Sequence, residues 1–314
     1  MVTKKDGFGK KKGTLYMGIP SGSLHSQVVR LLEKSGRAVA ESRQYELRSP
    51  FDSEVIFRIL DRKEMPDKVK KGIVDCGITG KDYIYEAGHE IDLEVIGDFI
   101  FSKTTNQPSK LVLATRPETG IKKPKDCVGK TVATELPNLT RRRLKELFGI
   151  TKVTILPSEG KTEAKVFMGE SDAFTDITET GRTLLANGNI LLAELFQSNP
   201  QLVANTKAIK NRHVREKMED IATGFHAVLA AEKEPIYLVF MDVPKKVLKE
   251  VEAMLPAVVA PTVSPVDQEG WVSVSVVITE TQLNMLAPKL LRKGVDGIVP
   301  IQTPKIFTQE MVKR

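Results

Sequence analysis

Residues 172–187 read Asp-Ala-Phe-Thr-Asp-Ile-Thr-Glu-Thr-Gly-Arg-Thr-Leu-Leu-Ala-Asn. An apolar run ends in the carboxylate Asp176. A loop with Thr178, Glu179, Thr180, Gly181, Arg182 and Thr183 follows, and then the apolar pattern of a helix start. Backbone N–H groups and hydroxyls of residues 178–183 are suited to surround a phosphate at the positive end of that helix. Asp176, placed before them, is suited to accept both hydroxyls of a ribose. A capped helix after a strand would draw on the same residue types.

Three further loops of the same kind follow predicted strands: Ser21-Gly22-Ser23, Thr79-Gly80-Lys81-Asp82 and Ser158–Thr162. In open α/β sheets ligands sit at the carboxyl ends of strands, so several such loops point to more than one phosphate group. Arg141, Arg142 and Arg143 open a basic helix, an unfavourable place for cations in the helix dipole. Either diphosphate oxygens or solvent would account for them. His25, His89, His213 and His226 lack metal-ligand spacing, and neither Cys76 nor Cys127 has a histidine partner for thiol chemistry. Neither a Walker loop nor Gly-x-Gly-x-x-Gly occurs.

The chain has 314 residues, 41% of them hydrophobic, which suits two or three globular domains. The net charge of +7 is concentrated: residues 1–12 carry five lysines and one aspartate, leaving +3 for the rest. With 6% aromatics and no basic stripe, nucleic acid is not the expected partner. Residues 1–13 read as a disordered basic tail without the apolar stretch of a secretory signal. No run approaches a membrane span, and two isolated cysteines suit a reducing cytoplasm.

The elements that must position these loops alternate strand and helix, which argues for α/β layering. Expected strands are 14–20, 55–60, 73–78, 111–114, 131–134, 153–156, 172–176, 190–193 and 202–205. Helices are expected from Leu24 to Gly36, over 65–72, from Leu139, over 162–168 and over 211–230. The organisation predicted is a lobe at 14–109 completed by 196–232, a second lobe at 110–195 that carries the phosphate loop, and a cleft between them. From residue 233 to 314 the order becomes β-α-β-β-α-β, a ferredoxin-like module of the kind used for ligand sensing.

Five motifs in order resemble the ATP phosphoribosyltransferase family. They are Ile19-Pro-x-Gly-x-Leu24, Asp75-x-Gly-Ile-Thr-Gly80-x-Asp82, and Ala133-Thr-Glu-x-Pro-Asn-Leu-Thr-Arg-Arg142. The fourth is Glu163-x5-Gly-x-Ser-Asp-Ala-x-x-Asp176-x3-Thr-Gly-x-Thr-Leu184. The last is Pro261-Thr-Val-Ser-Pro265, followed by Gly270-Trp271. The resemblance covers residues 14 to about 301. It implies the family's long form: two lobes like those of type II periplasmic-binding proteins and an ACT-like C-terminal domain that binds histidine as feedback inhibitor.

The reaction it implies is the first step of histidine biosynthesis, transfer of phosphoribosyl from phosphoribosyl diphosphate to N1 of the adenine of ATP, with Mg2+. The phosphoribosyl-diphosphate loop maps onto Asp176 and Thr178–Thr183, with Asp176 on the ribose. Ser21, Gly22, Ser23, Thr79, Gly80, Glu135, Arg141 and Glu163 map to the ATP and diphosphate region, and Asp242, Ala260 and Thr262 to the histidine site. A cytoplasmic homo-oligomer, dimer or hexamer, is implied as well. Relatives often carry Lys where Ser21 stands and Arg where Asp61 stands, so Arg58 or Arg62 is expected to compensate. A two-lobed ligand-binding protein of the periplasmic type is the alternative on architecture alone.

Overall fold

The computed structural model describes residues 10–11, 13–43, 46–100, 107–256 and 260–311. Most of the expected basic tail lies outside the described residues, as do residues 258 and 259 of the strand expected over 258–263.

The chain runs β1 (Leu15–Pro20), α1 (His25–Lys34), β2 (Ala40–Arg43), β3 (Glu46–Arg48), β4 (Val55–Leu60), α2 (Met65–Lys70), β5 (Cys76–Gly80), α3 (Lys81–Glu86) and β6 (Leu93–Asp98). It continues with β7 (Ser109–Thr115), β8 (Thr131–Thr134), α4 (Pro137–Phe148), β9 (Thr154–Pro157), α5 (Thr162–Phe167), β10 (Ala173–Thr178), α6 (Arg182–Ala186) and β11 (Ile190–Ser198). Then come β12 (Pro200–Asn205), α7 (Arg212–Lys233), β13 (Ile236–Pro244), α8 (Leu248–Met254), β14 (Thr262–Pro265), β15 (Trp271–Thr279), α9 (Glu280–Arg292) and β16 (Asp296–Thr303).

Two compact units result, one of residues 1–33 and 37–222, the other of 34–36 and 223–314. The first holds two sheets, ordered β2-β3-β4-β1-β5-β12-β6 and β11-β7-β10-β8-β9. Setting the β2–β3 hairpin aside, both follow one plan. Three parallel strands (β4-β1-β5 and β9-β8-β10) are extended by an antiparallel strand that arrives from the other sheet, β12 in one and β7 in the other. Each arriving strand is then flanked on its far side by a further antiparallel neighbour, β6 or β11. This exchange is the periplasmic-binding-like arrangement that the sequence implies. The return crossing falls at Asn199, since β11 stays in the second sheet to Ser198.

The central strands β1 and β5 are buried throughout, as expected for parallel strands covered on both faces. Gly18 and Gly77 face each other across them. A Cβ on either would lie 2.3 Å or 2.5 Å from Met65 Sδ, so both glycines make room for α2. Helix α1 buries Val28, Leu31 and Leu32, the stripe its sequence spacing predicts.

In the second unit the four strands order as β14-β15-β13-β16, all antiparallel, which is the ferredoxin-like topology. Val239, Met241 and Val243 of β13 face the core with Val251 of α8 and Leu290 of α9. Thr279 starts α9 with a reciprocal capping box to Gln282. Among the described residues no helix is long and apolar enough to cross a membrane.

Candidate active site

In the first unit a cavity of about 660 Å³ opens at the strand ends of both sheets. One wall comes from the first sheet and its helices: Leu24 and Gln27 at the start of α1, Arg62 after β4, and Gly80, Asp82 and Tyr83 at the β5–α3 junction. The other comes from the second: Glu135 and Leu136 after β8, and Thr175–Thr180 with Arg182 and Thr183 along β10 and the loop into α6. The crossing residues Ser198, Asn199 and Pro200 close its base.

The loop is organised by its own threonines. Gly181 N–H donates to Thr178 Oγ1 at 2.9 Å, and Arg182 N–H to Thr180 Oγ1 at 3.4 Å. Gly181 is favoured by its φ of +71°, a backbone conformation that L side chains rarely adopt. Helix α6 is only five residues long, so the loop's N–H groups and hydroxyls, rather than a long helix dipole, make this wall receptive to an anion.

Asp176 sits at the exit of β10, half-buried, with Oδ1 accepting the Ile177 N–H at 2.8 Å. Burial pushes its carboxyl up to about 6, with Glu163 and Glu135 adding to the rise and the Ile177 N–H opposing it. A partly desolvated carboxylate facing a cavity is the arrangement expected of a group that awaits hydroxyl donors.

The facing wall is held by buried polar contacts. Thr79 is fully buried and donates its hydroxyl to the Arg62 carbonyl at 3.0 Å. Gly80 admits no side chain, because a Cβ there would lie 2.1 Å from Asp82 Oδ1. Burial raises the Asp82 carboxyl, an effect opposed by hydrogen bonding from Ser198. The Arg62 guanidinium lies 5.6 Å from the Tyr83 ring centroid. Across the two sheets Lys63 Nζ approaches Glu135 Oε2 at 3.3 Å.

Of the residues singled out in the sequence, the fold brings Gly80, Glu135, Asp176, Thr178, Glu179, Thr180, Arg182 and Thr183 to the cavity wall. Thr79 and Gly181 lie directly behind it. Ser21, Gly22 and Ser23 form the turn into α1, whose next turn supplies Leu24 and Gln27 instead. Glu163 lies on α5, off the wall but close enough to raise the Asp176 carboxyl.

Arg141 is exposed on α4, away from the wall. The neighbouring arginines have structural partners: Arg142 pairs with Glu90 and donates to the Tyr85 carbonyl, and Arg143 donates to the Leu195 carbonyl and Glu146. Two of the three guanidiniums therefore fasten α4 to α3 and β11. Arg58 is likewise committed elsewhere, to Glu46, the Ile73 carbonyl and the Tyr16 ring. Arg62 is the one of the two compensating candidates that reaches the cavity.

The sequence reading missed Gln27, Tyr83 and Ser198 as cavity residues, since none belongs to a Gly/Ser/Thr loop. Among the described residues no cluster of three or more His, Cys, Asp or Glu side chains is placed to hold a metal ion. Both cysteines are buried and free, and burial pushes their thiols up, Cys127 to about 11, which argues against thiolate chemistry.

In the second unit Asp242 lies on β13 and Thr262 on β14, with β15 between them. Register pairs Asp242 with Ser273 and Thr262 with Ser275, so both belong to the sheet face opposite the core residues Met241 and Val243. Asp242 lies close over Gly297, where a Cβ would come within 2.9 Å of its Oδ2. Ala260 is exposed just before β14.

The family model described as HisG, ATP phosphoribosyltransferase, matches residues 61–227, and that of the HisG C-terminal domain matches residues 234–303. The ATP phosphoribosyltransferase of Solidesulfovibrio magneticus is 37% identical over 293 residues, 93% of this chain and 98% of the relative. ATP phosphoribosyltransferase 1 of Geobacter sulfurreducens is 34% identical over 295 residues, 94% of this chain and 99% of the relative. Among solved structures, the ATP phosphoribosyl transferase (HisG:HisZ) complex from Thermotoga maritima superposes with a TM-score of 0.57 at 26% identity, covering 68% of this chain and 99% of that one. With these matches spanning both units, the chain belongs to the ATP phosphoribosyltransferase family, in its long form with the C-terminal domain.

Proposed function

We infer that the chain catalyses the first step of histidine biosynthesis, joining N1 of the adenine of ATP to the anomeric carbon of phosphoribosyl diphosphate and releasing diphosphate. One observation carries the reading at this site: Asp176, pushed up to about 6 by burial, adjoins the Thr178–Thr183 loop in a cavity walled by both sheets.

In this reaction one bond forms, from N1 to the anomeric carbon, and one breaks, from that carbon to a diphosphate oxygen. Adenine N1 carries a free lone pair, so no general base is needed for attack. The barrier lies in charge separation, as the ribose becomes cation-like and the diphosphate gains charge. In our reading Asp176 accepts the two ribose hydroxyls and sets a negative potential beside the developing cation. The loop from Thr178 to Thr183 receives the 5-phosphate through its hydroxyls and backbone N–H groups. Gly80, Glu135 and the residues around them receive ATP and the diphosphate. The catalytic contribution is chiefly orientation and electrostatics.

A divalent metal fits as part of the substrate rather than as a resident ion. The cavity offers the carboxylates Asp82, Glu135, Asp176 and Glu179 without a metal-ligating cluster, which suits Mg2+ held mainly by substrate phosphates. It would supply charge neutralisation at the diphosphate. We further propose that the second unit binds histidine at Asp242, Ala260 and Thr262 as a feedback inhibitor, and that the enzyme works in the cytoplasm as a homo-oligomer.

The test is direct: ATP, phosphoribosyl diphosphate and Mg2+ are mixed with the protein, and the near-ultraviolet absorbance of N1-ribosylated adenine is followed. Product formation that Asp176→Ala lowers sharply supports the reading. No product from the folded wild-type chain overturns it.

A further inference from the structure

Three threonine hydroxyls are joined in a row where β8, β10 and α4 meet. The Thr175 hydroxyl donates to Thr134 Oγ1 at 2.6 Å, and Thr134 Oγ1 lies 2.9 Å from Thr140 Oγ1. The Leu136 N–H also donates to Thr134 Oγ1, at 3.0 Å. A hydroxyl oxygen has two lone pairs, taken here by Thr175 and Leu136, so the Thr134 proton goes to Thr140. All three residues are buried, among elements whose core residues include Leu136, Leu139 and Ala173. Valine would fill such positions without burying a polar group. Hydrogen-bonded hydroxyls contribute little net stability over that, and what they add is direction and a fixed distance.

Their place in the sheet gives the fixed distance a use. Backbone pairing of β8 with β10 runs through Val132↔Ala173 and Ala133↔Phe174. The next residues in register, Thr134 and Thr175, are joined through their side chains. Glu135 and Asp176 come directly after them, and both line the cavity. On the outer flanks the backbone holds each strand: the Thr134 carbonyl accepts the Ser158 N–H at 2.9 Å, and β10 pairs with β7 as far as Thr178. The Thr134–Thr175 bond closes the gap between the two strand ends that carry the carboxylates.

We propose that Thr134 and Thr175 are positioning residues, whose hydroxyl bond holds Glu135 beside Asp176 in the arrangement that meets the phosphoribosyl donor. This rests on the assignment of Asp176 to the ribose. The charges around Asp176 show why the spacing matters. Glu163 of α5 and Glu135 both raise its carboxyl. Lys63 pairs with Glu135, and Glu179 and Arg182 of the loop share the wall. If Glu135 moves away, its like-charge contribution falls and the Asp176 carboxyl titrates at lower pH.

Thr175→Val removes the donor with little change in shape and leaves Thr134 bonded to Leu136 and Thr140. The Asp176 midpoint can be read without substrates, from the pH dependence of stability of each variant against its own Asp176→Asn form. In Thr175→Val it should move below its wild-type position of about 6. At neutral pH kcat/KM for the phosphoribosyl donor should fall about 10- to 100-fold, as for a misplaced catalytic group. Thr175→Ser should restore both. With Glu135→Gln in place the midpoint should already be lower, and adding Thr175→Val should move it no further. Lost stability with midpoint and kcat/KM unmoved would overturn the proposal, as would an equal shift in the Glu135→Gln background. Absence of product from the wild-type chain would instead refute the functional reading. The substrate-free midpoints would then still decide whether the threonines set the spacing of the two carboxylates.

Discussion

Ser198 and Asp82 bond to each other twice: the Ser198 hydroxyl donates to Asp82 Oδ1 at 2.6 Å, and the Asp82 N–H donates to Ser198 Oγ at 3.0 Å. Ser198 ends β11 in one sheet, and Asp82 lies in the first turn of α3 beside the other. The pair is buried and borders the one residue, Asn199, through which the chain returns. Removing the hydroxyl leaves a buried carboxylate and a buried N–H short of partners. Ser198→Ala should therefore cost about 1–3 kcal/mol in urea denaturation, and a loss under 0.3 kcal/mol would show that the contact is dispensable.

A second link crosses between the sheets at α4. That helix has no acidic residue in its first turn, yet its opening N–H groups at Asn138 and Leu139 are met by Glu86 of α3 at 3.1 Å and 2.8 Å. The side chain acts as a cap supplied from another element. Glu86→Ala should lower stability by about 0.5–2 kcal/mol, the range for a lost cap, while Glu86→Gln should recover part of it.

Asp176 gives a pH dependence whose sign can be worked out. Its carboxyl is pushed up to about 6, whereas an unfolded aspartate titrates near 3.9. Between roughly pH 4 and 6 the folded chain holds a proton that the unfolded chain has released, so stability falls as pH rises through that window. Activity moves the other way. In its proposed role as ribose clamp Asp176 acts as the carboxylate, so kcat/KM for the phosphoribosyl donor should rise up to tenfold per pH unit below about 6 and then level. Asp176→Asn should lose the stability slope together with most of the activity. Denaturation and initial-rate profiles on one buffer series would check both.

For the second unit, Asp242→Asn and Thr262→Ala should each raise the histidine concentration for half-inhibition about 10-fold or more, as expected for a lost hydrogen bond to a charged ligand. Basal kcat should stay within twofold. Unaltered inhibition in both variants would move the effector site elsewhere.

Which parts were legible in the sequence follows from how local their signals are. Strands such as β1, β4 and β8 announce themselves as apolar runs, and the stripe of α7 (Val214, Met218, Ile221, Phe225 and Val228) is buried as its spacing predicts. The hairpin β2–β3, helix α3 and strand β6 were not foreseen. β3 has three residues, too few for a period to register; α3 starts at Lys81 directly after β5 ends at Gly80, with no loop to separate the two patterns; and β6 is an edge strand interrupted by Glu94 and Gly97. The loop after Asp176 was readable because its parts are contiguous. Gln27, Tyr83 and Ser198 were not, because only the crossing of two sheets makes them neighbours. The arginine run misled for the same reason: the groups that hold Arg142 and Arg143, Glu90 and the Tyr85 and Leu195 carbonyls, lie more than fifty residues away in sequence.

The exchange of strands between the two sheets has a consequence for synthesis. β5 and β6 have been synthesised by residue 98, but β12, the strand that belongs between them, is not complete until residue 205. Until then the nascent chain carries two unpaired edges, one of them on the fully buried β5, and such edges invite pairing with the wrong chain. A product that terminates before Pro200 should be a substrate for chaperones or proteases rather than a working half-enzyme. A soluble version of the first sheet alone would need residues 200–205 joined directly behind β6.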